Sequence, residues 1–203
     1  MPVRLTREES RAQTRERLLD SARRAFARSG YGGASLDVIA AEAGYSKGAF
    51  YSNFETKEAI FLELLARHMA KEAEQLSTLV NASRTAGDIL DSLDIWLEQM
   101  NADADWALLA MELQLHARRS PSFAEEYDAL YQRHRGKLGD LLARLFALSG
   151  KLPPAPTADL AAALMALGHG LVLQRTTYGE NGDPAGILIK TVLRSLITAS
   201  ANA

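Results

Sequence analysis

Residues 35–58, SLDVIAAEAGYSKGAFYSNFETKE, constrain this chain more than any other stretch. Leu36, Ile39, Ala40 and Ala43 fall at i, i+3, i+4 and i+7, one apolar face of a helix. Ser35 stands where an N-cap is wanted, because its hydroxyl can accept from an orphan N–H. Gly44 supplies the backbone freedom to end that helix and turn. Ser46 can cap a second short helix, on which Ala49, Phe50 and Phe54 recur at helical spacing. Short helix, glycine turn, short helix is the helix-turn-helix pattern, whose second helix enters the major groove of DNA.

The side chains between those anchors decide whether the pattern has a use. Tyr45, Ser46, Lys47, Gly48, Tyr51, Ser52 and Asn53 are polar, small or aromatic with a hydroxyl, and one cation stands among them. Such a surface can hydrogen-bond phosphates and base edges, and its small residues permit close approach. Lys57 follows Thr56 at the next helix start, where main-chain N–H groups and a cation can hold one phosphate. The plainer reading is a polar face turned to water.

The order AxxAGYSKGAFYSNF, followed by TKE, resembles the DNA-binding domain of the TetR family of bacterial transcriptional repressors over about residues 14–65. The resemblance implies an all-α homodimer, with an N-terminal three-helix domain on operator DNA and a divergent C-terminal domain for an inducer and the dimer contact. Carried over by position, it implies phosphate contacts for Ser35, Ser46, Lys47, Tyr51 and Lys57. Tyr45, Lys47, Gly48 and Ala49 would lie nearest the bases. Ala49 stands where many members carry Thr or Ser, so it offers a methyl to thymine rather than a hydrogen bond. Ser52 and Asn53 are also smaller than the aromatic or His residues often found there. Repression is the family's usual mode.

Charge is distributed to match. The chain of 203 residues carries −2 overall. Residues 1–57 hold ten Lys or Arg against seven Asp or Glu; residues 58–203 hold thirteen against eighteen. A basic segment on an acidic body suits a protein whose first part alone meets phosphate. We therefore expect a boundary at 57/58, with the arm and DNA-binding domain before it and a regulatory and dimerisation domain after it. The absence of Cys excludes disulfides, thiolate zinc sites and a cysteine nucleophile, and fits a reducing cytoplasm. Polar residues where a signal core would lie, and an apolar run at 160–173 too short to span a bilayer, argue against secretion and a membrane partner.

Periodicity predicts nine helices and no strands. Residues 1–10 read as a mobile arm, whose Arg4, Arg7 and Arg11 could reach a minor groove, or as a solvated tail. A first helix is expected over 10–29, with Thr14 and Arg15 near the DNA backbone and Gly30 as its stop. Thr56 caps a long helix to about 79, placed to carry movement between domains. Thr85 and Asp88 form a capping box. The helix holding Trp106, Leu109 and Leu113, with Leu108, Met111 and Leu115 opposite, reads as central to its domain. Ser120-Pro121 opens the next, and KLPPAP at 151–156 is a stiff connection. On the last helix Ile187, Leu188, Val192, Leu196 and Ile197 are expected inward.

The last two helices carry more apolar surface than one chain can cover. Leu160, Ala163, Leu164, Leu167, Leu171, Ile187, Val192 and Leu196 are candidates for a four-helix contact about a two-fold axis, against the alternative that they complete a monomer's core. Met69, Trp96, Met100, Trp106, Met111, Tyr127, Tyr131, His134, Met165 and His169 are large or polar-tipped residues on aliphatic stripes. Together they can line a cavity for a small molecule, the leaning being aromatic or lipophilic; singly each suits core packing. No cofactor is expected, and no metal. An enzyme lacks its usual motifs here, and Glu112 with His116 does not make a di-iron pair. Asn101, Asp103, Asp105 and Glu112 imitate a calcium loop, but Trp106 replaces its glycine. The rival that remains is a helical protein–protein module that keeps the scaffold without reading DNA.

Overall fold

The computed structural model describes residues 6–101, 104–178 and 185–202; the side chains of 94–101, 104–105, 176, 178 and 185 fall outside that description. Among the described residues the chain is all-α. Its helices are α1 (Arg7–Gly33), α2 (Leu36–Glu42), α3 (Lys47–Tyr51), α4 (Lys57–Ala82), α5 (Ala86–Asn101), α6 (Ala104–Ala117), α7 (Pro121–Leu148), α8 (Thr157–Tyr178) and α9 (Ala185–Ala199). One isolated antiparallel bridge, Lys151 with Asn202, ties the end of the chain to the connection before α8.

Chain punctuation follows the sequence closely. Gly44 and Gly150 take positive φ just past the ends of α2 and α7, and Gly30 takes it at a kink inside α1, positions where a side chain would be strained. Ser46 and Thr56 accept from the N–H groups of Ala49 and Ala59, and Thr85 and Asp88 bond reciprocally. Two expected caps are absent: Ser35 and Ser120 occupy N-cap positions without a side-chain cap bond. α1 also begins earlier than the charge pattern suggested. Thr6 and Glu9 make a capping box, so residues 7–10 are helix rather than arm. Arg4 lies outside the described residues.

Two cores result. The first runs from α1 through α2, α3 and the N-terminal half of α4 into α6 and α7, and Phe26, Tyr31, Phe50, Phe54, Phe61 and Phe123 lie within it. The second gathers aliphatic residues from α4, α5, α7, α8 and α9. Three expectations about faces need correcting. Leu115 is 59% exposed, so α6 buries one side (Leu109, Leu113) and is not enclosed all round. α9 turns Ile189 and Leu193 inward, whereas Ile187, Leu188 and Val192 are exposed. α8, finally, carries a stretch, Thr157–Arg175, long and apolar enough by length and composition to cross a membrane, which residues 160–173 alone had not suggested. Here it packs against α6, α7 and α9.

Candidate nucleic-acid interface and adjoining cavity

α3 is a short helix held by what surrounds it. Phe50 is fully buried, in edge contact with Tyr51 and tilted contact with Phe54. Ser21 Oγ donates to the Ile39 carbonyl at 2.8 Å and fixes α2 on α1. Arg15 is the hub that sequence reasoning underrated. Its guanidinium lies 4.0 Å from the Phe54 ring centre, donates to the Asn53 carbonyl at 2.6 Å, and pairs with Glu63. Arg67 joins Glu63 to Glu16, so α1 and α4 share one ionic network, which Arg15 ties to the segment just after α3.

Outward, α3 presents Lys47, Gly48, Tyr51 and Ser52, all exposed, with Ala49, Asn53 and Tyr45 partly covered. A Cβ on Gly48 would meet only Ser46 Oγ at 3.7 Å, so nothing within the chain requires a glycine there. The absent side chain leaves room for a surface from outside. Lys47 pairs with Asp37 at 2.9 Å, and this bond holds its ammonium above the ordinary range. Asn53 donates to the Ala49 carbonyl, and Arg11 donates to the Ser52 carbonyl at 3.2 Å. Thr14 is half-buried, with its hydroxyl bonded to the Ser10 carbonyl.

Lys57 has a local task that the motif did not reveal. Its ammonium donates to the carbonyls of Tyr31 and Ala34 at 2.7 and 3.0 Å and sits 4.6 Å from the Tyr31 ring centre. Burial pulls its pKa down, while Glu112 pulls it up. One N–H of three is left for a phosphate. Glu112 is spoken for as well: it accepts from the Tyr31 N–H at 2.5 Å, beside the left-handed Gly30. His116 Nε2 lies 2.7 Å from Glu58 Oε1. Side chains of α6 therefore grip the segment on which α2, α3 and α4 depend.

The opposite side of α6 lines a cavity of about 230 Å3 between α4, α6, α7 and α8. Met69, Trp106, Tyr127, Tyr131, His134, Met165 and His169 line it as the sequence suggested; Met111 does not. Trp96 and Met100 lie outside the described side chains. Sequence reasoning missed His68, Glu72, Gln75 and Gln114, also on its wall. His68, Glu72 and Gln75 recur at helical spacing along α4, a polar stripe beside an apolar one, and that was the available signal. Glu72 Oε2 stands 3.6 Å from His68 Nε2 and 3.7 Å from His134 Nε2. Burial depresses both imidazoles to about 4 and lowers His169 too, so all three are uncharged near neutrality. His134 is 6% exposed, and its Nδ1 has no hydrogen-bond partner, although the Met69 main chain draws its pKa weakly upward. A second, aliphatic cavity of about 150 Å3 shares Glu72, His134, Met165, Gly168 and His169 with the first. Among the described residues no cluster of His, Asp or Glu is fit to hold a metal.

A short, outward-facing helix on a glycine turn, held by a bundle that encloses a cavity, defines a protein of the helix-turn-helix class. Residues 18–64 match the N-terminal family described as bacterial regulatory proteins of the tetR family, and residues 89–199 match the BetI-type transcriptional repressor C-terminal family. The chain belongs to the TetR family, whose members and relatives are transcriptional regulators rather than enzymes. It is 30% identical over 116 residues to the transcriptional repressor AcnR of Corynebacterium efficiens, 56% of each chain, so the match spans about half of that relative. It is 25% identical over 176 residues to the nicotine-responsive repressor HdnoR of Paenarthrobacter nicotinovorans, 86% of this chain and 89% of that one. The regulator FadR of Bacillus subtilis, solved with stearoyl-CoA, superposes with a TM-score of 0.70 at 18% identity, covering 90% of this chain and 97% of the other. That likeness is one of fold.

Proposed function

We propose that the protein is a sequence-specific DNA-binding repressor, released from a palindromic operator by a small-molecule inducer. The observation that carries this reading is the outward face of α3, with Lys47, Gly48 and Tyr51 exposed on a helix whose inner side is anchored by buried Phe50. Residues 1–57 would read DNA, and residues 58–203 would sense the ligand and form the dimer. The phosphate contacts fall to Thr14, Ser35, Ser46, Lys47, Tyr51 and the remaining donor of Lys57. Tyr45, Lys47, Gly48 and Ala49 lie toward the bases, with Ser52 and Asn53 at the helix end.

A recognition helix this short gains specificity from duplication. Exposed Ile187, Leu188 and Val192 on α9, with Ala163 and Leu173 on α8, give the chain an apolar face that a second copy would cover. The half-buried Leu160, Leu164, Leu167, Leu171 and Leu196 flank it. Its place of work would be the cytoplasm, where the operator lies.

α4 links the two tasks. Lys57 and Glu58 in its first turn brace the reading head, and Leu65 to Gln75 wall the cavity roughly 12–27 Å further along the same helix. A ligand that fits the cavity only when α4 and α6 are displaced would disturb the Glu112–Tyr31 and His116–Glu58 contacts. It would release DNA to the extent that it prefers that displaced state.

Selection of duplexes from a random pool by the purified protein, at stated salt, tests the reading. An enriched palindrome with half-sites about one helical turn apart is expected. A folded dimer that enriches nothing, with or without ligands, would favour the protein–protein scaffold instead.

A further inference from the structure

Lys47, the cation of α3, does not stand free. Its ammonium meets both carboxylate oxygens of Asp37, in the first turn of α2, at 2.9 and 3.2 Å. Both side chains are exposed, so the pair adds little to stability. A helix start favours an acidic residue in its first turn, and Ser35 makes no side-chain cap bond there. That preference is met wherever the carboxylate points; here it closes on the cation that α3 turns outward. The neighbouring cations are engaged differently: Arg15 holds the Asn53 carbonyl and Glu63, Arg11 the Ser52 carbonyl, and Lys57 two carbonyls.

A carboxylate at that place works against phosphate. It takes up the ammonium and repels the backbone of any duplex. The cost falls hardest on complexes that phosphate attraction alone sustains. An ammonium has three N–H groups, and the two oxygens of Asp37 occupy at most two of them. Where a duplex offers an acceptor at the right place, the third can meet it, and the carboxylate has fixed the ammonium's position in advance.

We propose that Asp37 is a specificity-determining residue: by holding Lys47 on the outward face of α3, it weakens attachment to arbitrary DNA more than attachment to the operator. The inference deepens the operator reading and rests on α3 being the helix that meets DNA. Asp37 acts through Lys47, so it is a positioning residue, and what it sets is the difference between two affinities.

Fluorescence anisotropy of the full chain tests this across a salt series, with the duplex enriched by selection and a scrambled duplex of equal length. Asp37→Asn is expected to tighten the scrambled duplex by about threefold per recognition helix, roughly tenfold for a dimer, and to steepen its salt slope by about 1 per helix. Operator affinity should change far less, so the operator-to-scrambled ratio falls by roughly fivefold. Asp37→Glu, which keeps the carboxylate, should restore most of that ratio. Lys47→Ala by itself should cost the operator more than the scrambled duplex. Added to Lys47→Ala, Asp37→Asn should move the scrambled duplex by less than about twofold, because no ammonium is left to free. An unaltered ratio in Asp37→Asn overturns the proposal. So does a full-sized effect without Lys47, which would make Asp37 a plain repulsive charge. The duplex selection judges the operator reading apart: an enriched operator with an unaltered ratio removes this inference alone, and a folded dimer that enriches no duplex removes both.

Discussion

The helix-turn-helix region and the cavity-bearing remainder are built from different materials. Around α2 and α3 the interior is aromatic and closed: Phe26, Phe50 and Phe61 are essentially inaccessible, and Phe26 and Phe61 stand edge to face at 4.6 Å. Around the smaller cavity, where α8 meets α5 and α9, the interior is aliphatic, and the leucines of α8 are half-covered. Aromatic packing with specific ring geometry favours one arrangement, whereas loosely enclosed aliphatic walls accommodate movement. The difference is what the proposed function would need: a reading head that keeps its shape and a receptor that changes it. It also explains why glycine, serine and aromatic spacings were diagnostic in the first region alone.

Truncating one side chain in each region tests that contrast. Phe50→Ala removes the inner anchor of α3 and should destabilise the protein by about 3–5 kcal/mol, with loss of DNA binding. Leu142 already borders the smaller cavity, so Leu142→Ala should cost nearer 2 kcal/mol. Denaturant unfolding of both variants gives the comparison, and equal costs would break it.

Acid should act on the receptor region next. His68 and His134 titrate at about 4 in the folded protein and near 6.5 when free, so between those values the unfolded chain binds more protons. The stability they contribute is complete above pH 6.5 and lost as pH falls toward 4. The loss should reach a few kcal/mol for the pair, on the order expected from shifts of this size. His134→Asn should flatten the midpoint-against-pH curve over that window. An unchanged slope would mean that the imidazoles do not titrate as their burial dictates.

How much of this the sequence shows depends on whether a residue's role is local. The caps at Ser46 and Thr56, the turn at Gly44 and the buried spacing of Ile39 and Phe50 are set by neighbours along the chain, and all were legible. Arg15, Lys57 and Glu112 work across the fold: Glu112 meets Tyr31 from 81 positions away, and no periodicity encodes that. Met111 was misplaced because a polar-tipped or bulky residue on a helix reads the same whether it faces a cavity or its rim. The faces of α9 were misjudged because its aliphatic residues come in adjacent groups, Ile187-Leu188-Ile189 and Val192-Leu193, of which only Ile189 and Leu193 are buried. If a second copy covers Ile187 and Val192, the same pattern is what a helix buried on two sides requires.

The grip of α6 on the reading head should have a smaller effect. Glu112→Ala leaves the half-buried Tyr31 N–H without its acceptor, at a cost of about 1–3 kcal/mol. If the grip transmits the ligand signal, this variant should also bind operator with a weaker response to inducer, measured by DNA release at saturating ligand. Unaltered release would assign the contact to stability alone.

The least costly substitution to the fold is the most informative about DNA. Lys47 is exposed, and its partner Asp37 is exposed too, so Lys47→Ala should leave the unfolding midpoint unchanged. On DNA the same ammonium must leave Asp37 or share it, and its phosphate contact releases a counterion. The slope of log affinity against log salt should therefore fall in magnitude by about 1 per recognition helix, nearly 2 for a dimer. Tyr51→Phe removes a hydroxyl without a charge, so it should weaken binding with the slope intact. If both variants bind as the unaltered protein does, at every salt, α3 is not the reading helix. The closed aromatic core beneath it would then support a surface for some other partner.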